Sequence, residues 1–147
     1  MKVVCQRVSK ASVTVSNHVV GAIEHGYVLL VGICQDDQES TMLKMANKIA
    51  NIRLFSDEQD KMNLNIHQVK GSILSISQFT LCASTKKGNR PSFDQAERPE
   101  AAKVLFERFN QALINEGLTV KTGEFQAMME VSLVNDGPVT IVLEMEG

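Results

Sequence analysis

Apolar positions recur along this chain at two different periods, and the switching between them predicts a sheet laid down in several passes together with two helices. Val8, Ser12, Val13, Thr14 and Val15 belong to a β-rich run, Asn17-His18 makes a turn, and residues 19–23 return as a second strand. A further turn at His25-Gly26 leads into residues 27–33, whose unbroken apolar character predicts a strand buried on both faces. The polar stretch 35–40 ends on a cap-type residue, Ser40. Beyond it Met42, Leu43, Ala46, Ile49 and Ala50 recur at helical spacing.

Residues 56–61 are polar and turn-like, and the alternation of Met62, Leu64 and Ile66 with Asn63, Asn65 and His67 reads as an extended or looped segment. Residues 72–81 read as one central strand, followed by a long polar loop over 84–95. Pro99 at a first-turn position and Gly117 past the end bracket a second, longer helix, with a core stripe of Ala102, Leu105, Phe106, Phe109, Ala112 and Leu113. Residues 118–121 suggest one more strand. Two final strands, 128–134 and 139–144, are separated only by Asn135-Asp136-Gly137-Pro138. The class is α/β with a mixed sheet, and no repeat, low-complexity segment or linker divides residues 1–147 into more than a single domain.

Composition narrows the function more than the fold. Apolar residues make up 44% and charged residues 22%, which fits a globular chain and excludes a disordered or fibrous one. The longest apolar stretch, 27–34, falls far short of the roughly 20 residues that cross a bilayer, so no membrane partner is expected. Gln6 and Arg7 stand where a signal peptide needs its apolar core, which places the chain in the cytoplasm. Cys5, Cys34 and Cys82 are odd in number and far apart, so reduced thiols are expected. His18, His25 and His67 show no ligand spacing, and neither a metal nor another cofactor is expected. A net charge of −2 argues against coating long nucleic acid, while leaving room for a local basic patch that holds the end of an RNA.

Four segments carry candidate chemistry. Ser77-Gln78-Phe79-Thr80-Leu81 places hydroxyls and a carboxamide where an apolar strand runs out into a polar loop, a position where functional groups collect. Period two puts Gln78 and Thr80 on one face and Ser77 and Phe79 on the other, and no neighbour in sequence offers Thr80 a base. Asn135-Asp136-Gly137-Pro138-Val139-Thr140 reads as a tight connection between strands, one whose Gly-Pro pair can present backbone carbonyls as rigid acceptors. Lys86, Lys87 and Arg90 form a basic loop able to grip phosphates. Arg7 is an isolated cation on a strand, suited either to an exposed edge or to a buried ion pair that orients a loop. Cys82 reads as an inert, partly buried thiol, since no nearby histidine would lower its pKa.

Together, Ser77-Gln78-Phe79-Thr80-Leu81 and Asn135-Asp136-Gly137-Pro138-Val139-Thr140 resemble the two signature motifs of the D-aminoacyl-tRNA deacylases. Gln6-Arg7-Val8, Ala11 to Val15, Arg53-Leu54-Phe55-Ser56-Asp57, Lys61-Met62-Asn63 and Arg90-Pro91-Ser92-Phe93 are similar to that family in order and spacing, so the resemblance spans essentially the whole chain. It implies a barrel-like, mostly antiparallel mixed sheet with two main helices, and a homodimer in which a cis Gly137-Pro138 corner of one subunit enters the active site of the other. The implied reaction is hydrolysis of the ester between a D-amino acid, or glycine, and the 3′ end of tRNA. Backbone collision would reject L esters and the substrate's 2′-hydroxyl would assist. Ser77, Gln78, Phe79 and Thr80 would line the catalytic pocket. Lys86, Lys87 and Arg90 are candidates for tRNA contact and Arg7 for structural support. Two rivals remain open from the residues alone: a nucleic-acid-binding module without turnover, and a thiol hydrolase using Cys82.

Overall fold

In the computed structural model, which describes residues 1–146, β1 (Lys2–Val15) organises the sheet. Its first half pairs antiparallel with β3 (Gly26–Gly32) and its second half with β2 (His18–Ile23), while β8 (Glu130–Glu144) runs antiparallel along its other side. From β3 the sheet continues in parallel through β6 (Ser72–Ser77) and β7 (Thr119–Thr122). It then curls back on itself. A Cβ on Gly21 of β2 would stand 2.6 Å from the Thr122 carbonyl oxygen of β7, so a side-chain-free residue is what lets the two backbones meet and the barrel nearly close. A small hairpin, β4 (Phe55–Ser56) and β5 (Met62–Leu64), lies apart from this sheet.

Side chains alternate across β3 into two cores, as its continuous apolar sequence predicts. Tyr27, Leu29 and Val31 point to the face covered by α1 (Glu39–Asn51) and α2 (Pro99–Asn115), where they meet Met45, Ile49 and Phe109. Val28 points the other way and joins Val8, Val13, Leu74 and Ile76 inside the barrel. The helices therefore brace one face of the sheet and leave the strand ends to the site.

Most boundaries follow the sequence pattern. Pro99 opens α2 and Gly117 ends it at φ +94°. The first turn lies at Ser16-Asn17 (φ 49° and 66°), one residue earlier than expected, because His18 already pairs with Val15 and both central residues must take positive φ. The cap of α1 is Gln38 rather than Ser40, and its N–H donates to Thr41 Oγ1 at 3.4 Å.

Two expectations fail, both near the candidate chemistry. The central strand does not run to Leu81: β6 ends at Ser77 and Phe79–Cys82 form a 3-10 turn. Nor does the segment 135–138 reverse the chain. Both halves of β8 pair with β1 in the same direction, so the segment is an interruption within one long strand.

Candidate active site at two breaks in the sheet

The first break lies at the carboxyl end of β6. Gln78 N still donates to Val31 O at 2.7 Å, the last sheet bond, and the chain then tightens so that Leu81 N donates to Gln78 O at 3.2 Å and Ala83 N to Thr80 O at 3.1 Å. Gly32 makes this possible. A Cβ there would meet Leu81 Cβ at 2.9 Å and Gln78 O at 3.3 Å, so the turn lies directly on the end of β3. The N–H groups of Phe79 and Thr80 open the 3-10 turn and have no acceptor within it, which leaves two adjacent donors for a ligand oxygen. Gln78 Nε2 donates to Thr80 Oγ1, a contact made across the start of the 3-10 turn rather than along one face of a strand, since the strand on which the period-two reading rested ends at Ser77. Among the described residues, no carboxylate, imidazole or amine is hydrogen-bonded to Thr80 Oγ1. The arrangement can orient and polarise a carbonyl, but it offers the threonine no base.

The second break lies opposite Arg7. In the β1–β8 ladder Gln6 faces Thr140 and Val8 faces Asn135, so the four residues 136–139 of β8 stand against Arg7 alone. The surplus chain bulges outward as an exposed corner, and its Gly137-Pro138 bond is cis. Arg7 sits beneath it. Its Nε donates to Asp136 O at 3.0 Å, its Nη1 donates to Leu54 O at 2.6 Å, and Asp136 Oδ2 lies 3.5 Å from Nε. Only 8% of Arg7 is exposed, so the edge-strand reading is wrong: β1 is flanked on both sides and its guanidinium is spent on two main-chain carbonyls. Gly137 has φ +132°, and a Cβ on it would meet Val139 N at 2.9 Å and Arg7 Nη2 at 3.1 Å.

Behind Arg7, Tyr27 is its register partner on β3 and stacks on Phe55 with ring centroids 5.1 Å apart. Burial pushes the Tyr27 hydroxyl well above its ordinary pKa. The Cys5 thiol adds to that rise and Arg7 opposes it. Among the described residues the buried hydroxyl has no hydrogen-bond partner, and the ring's stacking on Phe55 is what supports the segment bearing Leu54 O.

The basic loop is held against the first break. Ser84 and Ser92 exchange backbone bonds at 2.8 Å each way, closing the loop at its neck, and Phe93 meets Phe79 edge to face at 5.2 Å. Lys86, Lys87 and Arg90 are all exposed on this loop. The thiol expectation, by contrast, is overturned: Cys34 and Cys82 form a disulfide, with Cα atoms 5.8 Å apart across 48 residues, and Cys5 alone is a thiol. The pairing follows from topology. β3 and β6 are parallel neighbours with Val31 opposite Ser77, so the segments that leave their carboxyl ends emerge side by side. With its sulfur bonded, Cys82 is no nucleophile, and the thiol-hydrolase rival loses its residue.

Sequence reasoning missed Leu54, Gly32 and Cys34 as parts of the site. Leu54 and Gly32 contribute a carbonyl and a missing Cβ, which carry no side-chain signature. Cys34 has no spacing relation to Cys82 from which pairing could be read.

A nearly closed mixed sheet braced by two helices defines a single-domain α/β fold with polar groups gathered at the sheet's breaks. The solved structure of a probable eukaryotic D-amino acid tRNA deacylase shares it at a TM-score of 0.86, covering 98% of each chain, and at 14% identity this speaks for the fold alone. The solved c-Myc DNA unwinding element binding protein superposes at a TM-score of 0.93 with 40% identity over 100% of both chains. The chain belongs to the D-Tyr-tRNA(Tyr) deacylase family, whose model matches residues 4–144. It is 57% identical to the D-aminoacyl-tRNA deacylase of Lactobacillus gasseri over 145 residues, covering 99% of this chain and 100% of that one. It is also 54% identical to the D-aminoacyl-tRNA deacylase of an Exiguobacterium species over 144 residues, covering 98% of each.

Proposed function

We propose that this protein, acting as one deacylase domain, hydrolyses the ester that joins a D-amino acid to the 3′ end of tRNA, releasing the amino acid and an intact tRNA. Glycyl-tRNA is the second substrate. The observation that carries this reading is the pairing of an exposed turn whose threonine lacks a base with an exposed cis Gly137-Pro138 corner that Arg7 fastens through the Asp136 carbonyl.

An aminoacyl ester is activated, and its hydrolysis needs positioning and charge stabilisation more than a strong base. Water adds to the ester carbonyl, the developing oxyanion accepts from the Phe79 and Thr80 N–H groups, and the C–O bond to the ribose breaks. The neighbouring 2′-hydroxyl of the substrate assists the proton movement. Ser77 and Gln78 shape the wall, and Gln78 fixes the Thr80 side chain through its hydrogen bond. Lys86, Lys87 and Arg90 hold phosphates of the acceptor end.

Chirality is read by exclusion. In a homodimer, the Gly137-Pro138 corner of one subunit faces the α-carbon bound at the partner's turn, where an L side chain collides with main chain and a D residue or glycine does not. Exposed Val134 and Val142 flank the corner on β8 and supply apolar area for such an interface. Arg7 is a positioning residue that fixes the corner. A cytoplasmic location accords with a tRNA substrate, and no helix among the described residues is long and apolar enough to cross a membrane.

The decisive experiment compares release from D-tyrosyl-, L-tyrosyl- and glycyl-tRNA under identical conditions, with sedimentation to read the oligomeric state. Release of the D and glycyl esters but not the L ester is expected. Salt-sensitive binding with no release would favour a non-catalytic nucleic-acid-binding module instead. Gly137→Ala forces a Cβ into Val139 N at a φ that L residues avoid, a strain of about 1–3 kcal/mol, and should lower the D-to-L ratio at least tenfold. An unchanged ratio would refute selection by the corner.

A further inference from the structure

The Cys34–Cys82 bridge stands where it can govern the site. Cys82 is the last residue of the 3-10 turn that carries Phe79 and Thr80, and Cys34 follows the end of β3, on which that turn rests. Without the bridge, the turn keeps the Gln78 N to Val31 O bond, the two short-range bonds from Leu81 N and Ala83 N, its packing on Gly32 and the Phe79–Phe93 contact, none of which is covalent. The cystine also lines a groove of about 990 Å³, shared with Lys2, Lys86, Lys87, Asp36, Asp94 and Glu144. Cys34 is half-buried and Cys82 is 3% exposed, so Cys34 is the more open half of the cystine. Cys5, in contrast, is fully buried and burial pushes its thiol up to about 12, which takes it out of exchange chemistry.

We propose that Cys34–Cys82 is a reversible redox modification site for low-molecular-weight thiols, and that its thiol–disulfide state fixes or loosens the Phe79–Cys82 turn and so sets the deacylation rate. The inference rests on the assignment of that turn as the catalytic one. In the reducing direction a small-molecule thiolate attacks Cys34 Sγ, the protein S–S bond breaks, and Cys82 leaves as thiolate and takes a proton. A second thiolate then attacks the small-molecule sulfur of the mixed disulfide and expels Cys34 as thiolate, so that two electrons enter the protein and one small-molecule disulfide is released. Formation is the reverse, with the small-molecule disulfide as oxidant. In a reducing compartment such a bridge is transient and reports redox state.

The test uses the full-length protein equilibrated with glutathione and glutathione disulfide at ratios from reducing to oxidising. Each sample is alkylated under native conditions and counted by mass, assayed for D-tyrosyl-tRNA deacylation, and followed by hydrogen exchange at the Leu81 and Ala83 amides. Thiol counts of two at the reducing end and none at the oxidising end are expected, with Cys5 silent throughout. The two-thiol form should show at least fivefold lower kcat/KM and at least tenfold faster exchange, both reversing on reoxidation. Cys82→Ser should stay at the reduced values at every ratio, and the reversible titration of the unmodified chain reads the same quantities without any substitution. Equal rates and equal exchange in the two forms, or two thiols at every ratio, would overturn the proposal. Exchange that follows the bridge without D-tyrosyl release at any ratio would support the coupling of bridge to turn and overturn the deacylase reading instead.

Discussion

The two breaks in the sheet are fastened in opposite ways. The turn at Phe79–Cys82 is tied into its own scaffold by main-chain bonds, by close contact with Gly32 and by a covalent bridge, while Phe79 and Thr80 stay exposed on it. The corner at 136–139 has left its ladder and is held from below by the Arg7 guanidinium on the Asp136 carbonyl and by Val139, whose side chain is buried in the main core. A catalytic surface built from amides needs its donors fixed to within a few tenths of an ångström, and multiple short tethers do that. In the proposed homodimer the corner projects beyond its own subunit, so its fastening comes from beneath, from buried Arg7 and Val139, rather than from a neighbouring strand. In the proposed mechanism the turn therefore governs rate and the corner governs the choice of enantiomer.

The largest effect that would break this comparison comes from Arg7. Arg7→Leu leaves the Leu54 and Asp136 carbonyls without their charged donor, at about 1–3 kcal/mol for each acceptor stranded away from water. A stability loss of about 3 kcal/mol is expected in denaturant titration, together with a roughly hundredfold drop in the ratio of D- to L-tyrosyl release. Arg7→Lys should rescue little, because one ammonium cannot reach both carbonyls with the geometry of a planar fork. A full D-to-L ratio in Arg7→Leu would mean that the corner holds itself.

Gly32→Ala probes the other side of the comparison. Its Cβ would stand 2.9 Å from Leu81 Cβ and push the turn off β3. Overpacking of this kind costs about 1–3 kcal/mol, and roughly tenfold slower D-tyrosyl release is expected in kcat with the D-to-L ratio unchanged. A change in the ratio without a change in rate would reverse the roles assigned to the two breaks.

Thr80→Ala has a smaller expected effect, since among the described residues the side chain's hydrogen bond is to Gln78 and is worth about 1 kcal/mol. Steady-state assays should show about fivefold loss of kcat. A loss of about 10⁴ or more would identify a threonine nucleophile and end the substrate-assisted reading.

How far the sequence reveals these two regions depends on what kind of group does the fastening. The buried strand at Tyr27, the bracket of Pro99 and Gly117 and the helical stripe through Phe106 and Phe109 are legible, because periodicity and punctuation are properties of side chains. Residues 78–81 read as strand because Phe, Thr and Leu suit a pleated surface. Their release into a 3-10 turn is decided by Gly32 and Cys34, about fifty residues earlier. Asn135-Asp136-Gly137-Pro138 reads as a hairpin turn because it has the right residues for one, and only pairing of both flanks with β1 shows that the chain continues. Arg7 is visible as an odd cation on a strand, whereas its acceptors are main-chain oxygens that every residue possesses.

The smallest predicted effect tests whether the corner's support extends beyond Arg7 and Val139. Leu54 O, the second acceptor of Arg7, leads directly into the β4–β5 hairpin, whose turn is pinned by Asp57: Gln59 N and Lys61 N donate to Asp57 Oδ1 at 2.8 and 3.1 Å. The Lys61 backbone bond first, with help from Gln59 and Asn63, holds this carboxyl below the usual aspartate range. A carboxyl whose pKa is depressed on folding stabilises the fold above its unfolded pKa, and that stabilisation fades as pH falls through the folded value. The wild-type chain should therefore be slightly more stable than Asp57→Asn at pH 7, and the two melting curves should converge under acid conditions. If the hairpin is part of the corner's foundation, Asp57→Asn will also lower the D-to-L ratio slightly at neutral pH, by less than any change above. A stability difference that persists in acid would place the effect of Asp57 outside its charge, and a ratio untouched at pH 7 would confine the corner's support to Arg7 and Val139.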